Sequence, residues 1–177
     1  MNFKTQKMAS IEMVDFDKKV YEINEKLPNL NWNLQHKETL KIGGYLCNKA
    51  TLYFRGRNYI AWYAKKLPVF YGPWKFHGLP GLIFKIYDEN LTYDWTIKKI
   101  GNKTIDEDFL NSEKHHKSMN IKDFVKFKYD LYSDKIQKLE KNITTRQERG
   151  TKVIFTPGRM RKGQEQIYEW EEETKKN

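Results

Sequence analysis

The stretch from Tyr45 to Ala64 constrains the fold more than any other part of the chain. Leu46, Ala50, Leu52 and Phe54 fall on one face of a period-2 pattern. Arg55-Gly56-Arg57-Asn58 then reads as a hairpin turn, because Gly56 and Asn58 tolerate positive φ. The return run, Tyr59 to Ala64, puts Ile60, Trp62 and Ala64 on one face and Tyr59, Ala61 and Tyr63 on the other. A strand that is apolar on both faces is covered on both, so it belongs in the middle of a sheet rather than at its edge.

The neighbouring segments extend this antiparallel pattern. Trp32, Leu34 and His36 alternate with polar residues, and Gly43-Gly44 punctuates the chain before Tyr45. Leu82–Tyr87 is a further strand. Leu91, Tyr93, Trp95 and Ile97 alternate with Thr92, Asp94, Thr96 and Lys98, the cleanest strand signal in the sequence. Residues 1–26 alternate only weakly, with Val20–Glu25 as their strand candidate, and Leu27-Pro28-Asn29 breaks the chain.

Residues 101–117 read as a polar loop. Asn120 followed by Asp123 then has the form of a helix N-terminus. Ile121, Phe124, Val125, Tyr132, Ile136 and Leu139 recur at helical spacing, which predicts one amphipathic helix over 120–141. Lys152–Thr156 reads as another strand, ended by Pro157-Gly158. The expected fold is mainly β: a curved antiparallel sheet, open to a half-barrel, with one amphipathic C-terminal helix. Residues 1–157 form a single domain in this reading. Residues 158–177 form a charged tail, either a short solvated helix or disorder.

Composition narrows the function. At 177 residues the chain has room for one ordinary domain, and 15% aromatics argue against wholesale disorder. No apolar run approaches the roughly 18 residues needed to cross a bilayer. The start, Met1 to Asp17, lacks the apolar core of a secretion signal. The single cysteine, Cys47, excludes an internal disulfide and a Cys-based zinc cluster. Eight cations lie between Lys41 and Tyr87 without one Asp or Glu, in a chain of net charge +10. Such a balance suits nucleic acid or anionic surfaces; alternation spreads these cations over both sheet faces, so scattered solvated charge competes with a contiguous patch.

Catalytic signals are weak. Cys47 and His77 could pair as nucleophile and base, but no third residue orients them and Cys47 lies within a strand. His115-His116 are adjacent on a loop, where two side chains seldom converge on one metal ion. Asp88, Glu89 and Asp94 flank a hairpin and serve turn chemistry. We therefore expect no catalytic residue, no metal ligand and no cofactor.

The run Gly72 to Phe84, GPWKFHGLPGLIF, carries the most information. Two prolines and three glycines in thirteen residues fix the backbone tightly. A loop this stiff has little entropy to lose on binding. Gly72, Pro73, Gly78, Pro80 and Gly81 shape it. Trp74, Lys75, Phe76 and His77, with Trp62 from the neighbouring strand, are the candidate ligand contacts. Ordinary core packing competes with this role for Trp62 and Trp74, and a plain connecting turn competes with it for the glycines and prolines.

The segment resembles the signature of the GLPGLI family, uncharacterised bacterial proteins named after the hexapeptide Gly78-Leu79-Pro80-Gly81-Leu82-Ile83. Gly44-Tyr45-x-Cys47-x-Lys49-Ala50, Phe54-x-Gly56-Arg57, Ala61-Trp62-Tyr63, Leu67-Pro68 and Gly72-Pro73-Trp74-Lys75-Phe76 are similar to the family pattern, in order. The resemblance covers residues from about 30 to 100 and weakens through the helix. It implies a Bacteroidetes-type protein of the periplasm or cell exterior, distantly similar to carriers in which a curved sheet holds a lipid against a helix. This chain departs from the pattern in lacking the usual signal and much of the N-terminal half.

Two functional classes follow. One is a non-enzymatic envelope-type binding or carrier domain. In it Trp74, Phe76 and His77 touch an apolar or amphipathic ligand, a lipid or a peptide, and Lys75 meets its anionic end. The other is a nucleic-acid-binding protein using residues 41–87. A hydrolase is the third and weakest, since nothing resembles a nucleophile elbow or a paired-carboxylate site.

Overall fold

In the computed structural model, the structure describes residues 1–2, 4–14, 19–101, 117–144 and 165–173. The expected strand over 152–156 and the His115-His116 pair lie outside the described residues. The chain divides into two compact units, one formed by residues 1–28 and 103–158, the other by 29–102 and 159–177.

The first unit holds β1 (Lys7–Val14) and β2 (Lys19–Lys26), paired antiparallel, with β8 (Lys117–Asn120) added parallel to β2. The weak alternation of residues 1–26 hides two full strands rather than one. On β2 the buried positions are Tyr21, Ile23 and Glu25, a strict period of two. Helix α1 (Ile121–Thr144) starts where the sequence places it. Asn120 accepts the Asp123 N–H at 2.9 Å with its side-chain oxygen, and its amide donates back to the Asp123 carboxylate. The helix buries Ile121, Phe124 and Val125, and Tyr21 meets the rings of Phe124 and Phe127 at 5.9 and 5.2 Å.

The second unit is a five-stranded antiparallel meander: β3 (Thr39–Ile42), β4 (Tyr45–Phe54), β5 (Arg57–Ala64), β6 (Leu82–Asp88) and β7 (Asp94–Thr96) in sequential order. The sheet curls as an open half-barrel. β5 is its middle strand, as its two apolar faces require. Phe54 pairs with Arg57, so the β4–β5 loop is only Arg55-Gly56, shorter than the four-residue turn expected. A bulge at Phe84 interrupts the β5–β6 register between Trp62/Lys85 and Tyr63/Ile83.

Two expected strands shrink. Residues 32–36 make only an isolated bridge, Asn33 to Thr51. Tethers from side chains hold this segment instead: the Trp32 indole donates to the His77 carbonyl at 2.8 Å, and His36 meets the Thr51 hydroxyl at 2.9 Å. Of the run Leu91–Lys98, only Asp94–Thr96 is strand. The buried Asp88 carboxylate takes the Tyr93 N–H at 2.7 Å, and Leu91 turns with φ 54°, so the first half of the alternating run is consumed by the loop.

Candidate functional site

The loop between β5 and β6 closes on itself. Gly72 N–H donates to Phe76 O at 2.9 Å, Phe76 N–H to Pro73 O at 3.1 Å, and Gly78 N–H to Phe70 O at 2.9 Å. Leu82 N–H donates to Leu67 O, also at 2.9 Å, and Tyr71 bridges to His77. Gly81 is required by close approach: a Cβ there would lie 2.3 Å from the Ala64 carbonyl oxygen.

Its side chains divide. Phe76 is fully buried and is the hub of an aromatic core. Its ring centroid lies 4.7 Å from Tyr59, 5.2 Å from Trp74, 5.9 Å from Trp95 and 6.2 Å from Trp32. Trp74 is half-buried with φ 53°, and stacks on Trp95 at 6.3 Å; Tyr93 stacks on Trp95 at 5.8 Å. Tyr71, by contrast, is 51% exposed.

A cleft of about 620 Å³ opens beside that exposed end. Tyr71, Gly72 and Pro73 form one wall, Leu82–Phe84 of β6 another, and residues 94–98 the third. On β6 the β6–β7 ladder covers Lys85–Tyr87, and the β6 residues lining the cleft, Leu82–Phe84, precede it. Most of the lining is apolar. Asp94 is held by Lys85 at 3.3 Å, while Lys98 stands exposed on the same wall.

A second cluster lies at the β4–β5 tip. Lys75 is 1% exposed and its ammonium donates to Glu165 Oε1 at 2.8 Å. Arg55, also buried, donates from Nη1 to the same oxygen and from Nε to Glu169 at 3.0 Å. The Gln166 and Ile167 N–H groups both donate to the Arg55 carbonyl, at 2.8 and 3.2 Å. So part of the expected solvated tail, residues 165–173, is docked with Glu165 and Tyr168 buried; it ends in a short helix α2 (Glu169–Glu173).

Acids from outside the acid-free stretch 41–87 pair with most of its cations in the same way. Arg57 donates to Asp88 at 2.8 Å, and both are buried. Lys49 donates to Glu38 at 2.8 Å and holds that carboxyl below its ordinary range. With Arg55, Lys75 and Lys85, five of the eight cations are paired to carboxylates from outside the stretch. Lys41, Lys65 and Lys66 are exposed.

The structure therefore redistributes the candidate residues. Lys75, Phe76 and His77 are buried, which removes the direct ligand contacts expected of them; each is already engaged by the aromatic core, by Glu165 or by Trp32. Trp62 packs with Cys47, Ala64 and Phe84, a cluster separate from the Phe76 core. Gly72 and Pro73 line the cleft. Gly78 and Pro80 are exposed, and Gly81 abuts Ala64. Cys47 is fully buried, its thiol pushed up by burial and directed at the Tyr45 carbonyl. Among the described residues, no three His, Cys, Asp or Glu side chains converge to hold a metal, and no helix is long and apolar enough to cross a membrane. Sequence reasoning missed Tyr71, Trp95 and Lys98. Their signal was present, an exposed Val69-Phe70-Tyr71 run ahead of the rigid loop and a tryptophan on a three-residue strand.

Residues 54–85 match a family described as Protein of unknown function (Porph_ging). That match spans the β4–β5 tip, β5, the rigid loop and the start of β6. No curated protein matches the chain. Two solved structures share its fold: PNGF-II in the C2 space group, at 19% identity and TM-score 0.50, and PNGF-II in the P21 space group, at 17% identity and TM-score 0.51. Each alignment covers 74% of this chain and 24% of the other. The chain thus spans about a quarter of the length of the proteins it matches, and at this identity the likeness is one of fold.

Proposed function

We propose that this chain is a GLPGLI-type, non-enzymatic binding or carrier domain of the bacterial envelope, taking an apolar or amphipathic ligand. The observation that carries the reading is the cleft of about 620 Å³ against the exposed end of the rigid loop. That volume falls within the roughly 300–1,000 Å³ of ordinary small-ligand sites, which are also mostly apolar with a few polar groups. Tyr71, Pro73, Trp95 and Ile97 supply the apolar contacts, and Lys98 takes the role of meeting an anionic end. The stiff backbone of the wall favours binding, because little order remains to be imposed.

The test is native mass spectrometry of the purified chain after exposure to lipid and peptide mixtures, beside an Ile97→Glu variant that places a charge in the cleft. One ligand class retained by the wild type and lost from a folded Ile97→Glu variant is the expected result. Wild-type protein that is empty after every mixture ends the reading.

A further inference from the structure

The β4–β5 tip holds the chain's own residues 165–169 by ion pairs, a ring over a guanidinium and backbone hydrogen bonds. Two buried cations from different elements, Arg55 and Lys75, meet one carboxylate oxygen of Glu165, a residue 110 and 90 positions away in sequence. The Arg55 guanidinium lies between the rings of Phe54 and Tyr168, at 5.0 and 5.1 Å. Two consecutive N–H groups of the segment share one carbonyl, and a Cβ on Gly56 would lie 2.9 Å from Gln166 Cβ, so the tip has a bare surface where the segment passes.

The hairpin itself is compromised for this purpose. A two-residue loop with both φ values positive favours Asn-Gly. Here the first position is Arg55, at φ 47°, a backbone region that L side chains seldom adopt. The unusual choice puts a guanidinium where the segment's carboxylates arrive. Without the segment, two cations would be left converging with their shared anion removed, which is strongly unfavourable.

From this we infer that the β4–β5 tip is a recognition site for acidic peptides of the pattern Glu-x-x-Tyr-Glu, occupied in this chain by its own residues 165–169 and open to exchange with the same sequence presented in trans. Glu165 enters the two-cation pocket, Tyr168 covers the guanidinium and Glu169 meets Arg55 Nε. The site shares no residue with the cleft, so it stands or falls separately from the ligand-binding reading.

The test uses the full chain carrying Glu165→Ala and Glu169→Ala, which weakens the resident segment, and a fluorescent peptide copying residues 163–173. Anisotropy is expected to show binding of the wild-type peptide, with a Glu165→Gln peptide about tenfold weaker or worse. The intact wild-type chain, its site occupied, binds either peptide far less. If the double variant fails to fold, the comparison moves to wild-type protein cut after folding at a protease site placed within residues 159–164, with labelled peptide added in excess to exchange with the resident segment. Equal binding of the two peptides, or no binding to folded acceptor, overturns the inference.

Discussion

One loop presents two opposite surfaces. From Tyr71 to Pro73 it faces a cleft, and from Lys75 to His77 it is sealed into the core, only two residues further on. Both halves contain a large ring, and both are fixed by the same backbone hydrogen bonds. What separates them is the partner each finds: Phe76 meets five other rings and Lys75 meets Glu165, whereas Tyr71 lines a cleft that it shares with Leu82–Phe84 and residues 94–98. A stiff loop rich in aromatics therefore does not by itself present a binding surface. Rigidity comes from the glycines and prolines, and exposure from what the rest of the fold leaves uncovered.

Substitutions on the two halves sharpen this contrast. Phe76→Ala removes the hub of the aromatic core and should cost about 4 kcal/mol of stability, read from urea unfolding. A loss below about 1 kcal/mol would mean that Phe76 is not a core residue and would break the comparison at its strongest point. Glu165→Gln leaves Arg55 and Lys75 without their shared charge and should cost about 3 kcal/mol. The same substitution tests whether the expected tail is structural, because a solvated tail would tolerate it with almost no change.

Gly81→Ala forces a Cβ toward the Ala64 carbonyl and should cost about 2 kcal/mol, seen as a lowered Tm. Unchanged melting would show that the loop can shift away from β5. Alkaline pH gives a further check on the sealed side. Burial pushes the Tyr59 and Tyr63 phenols above their ordinary value of 10.0. Their unionised forms are favoured in the folded state, so their contribution is fully present below pH 10.0 and is lost as pH rises from there towards the folded values. Tyrosinate absorbance should accordingly lag behind that of the exposed tyrosines and catch up only on unfolding. Tyr71→Ala, on the open side, should change stability by about 0.5 kcal/mol or less while weakening ligand retention.

Much of the sheet was legible. The two apolar faces of Tyr59–Ala64 placed that strand at the centre, and Asn120 with Asp123 marked the helix start, because period and capping are local properties of the chain. The site was legible only in outline. The glycines and prolines mark the loop along the chain, but the direction of each of its side chains depends on Trp32, Trp95 and Glu165, which no local pattern connects to it. The strand run Leu91–Lys98 was over-read for the same reason. Alternation is a local signal, whereas the Asp88 carboxylate that diverts its first half acts from outside the run.

Charge shows the division most plainly. The sequence alone determined that residues 41–87 carry eight cations and no acid. Only the tertiary structure decided that five of these meet carboxylates brought in from Glu38, Asp88, Asp94, Glu165 and Glu169. Strand period and turn chemistry act over a few residues and can be read along the chain. Ion pairing acts through space, and the distance from Arg55 to Glu165 is 110 residues in one measure and a hydrogen bond in the other.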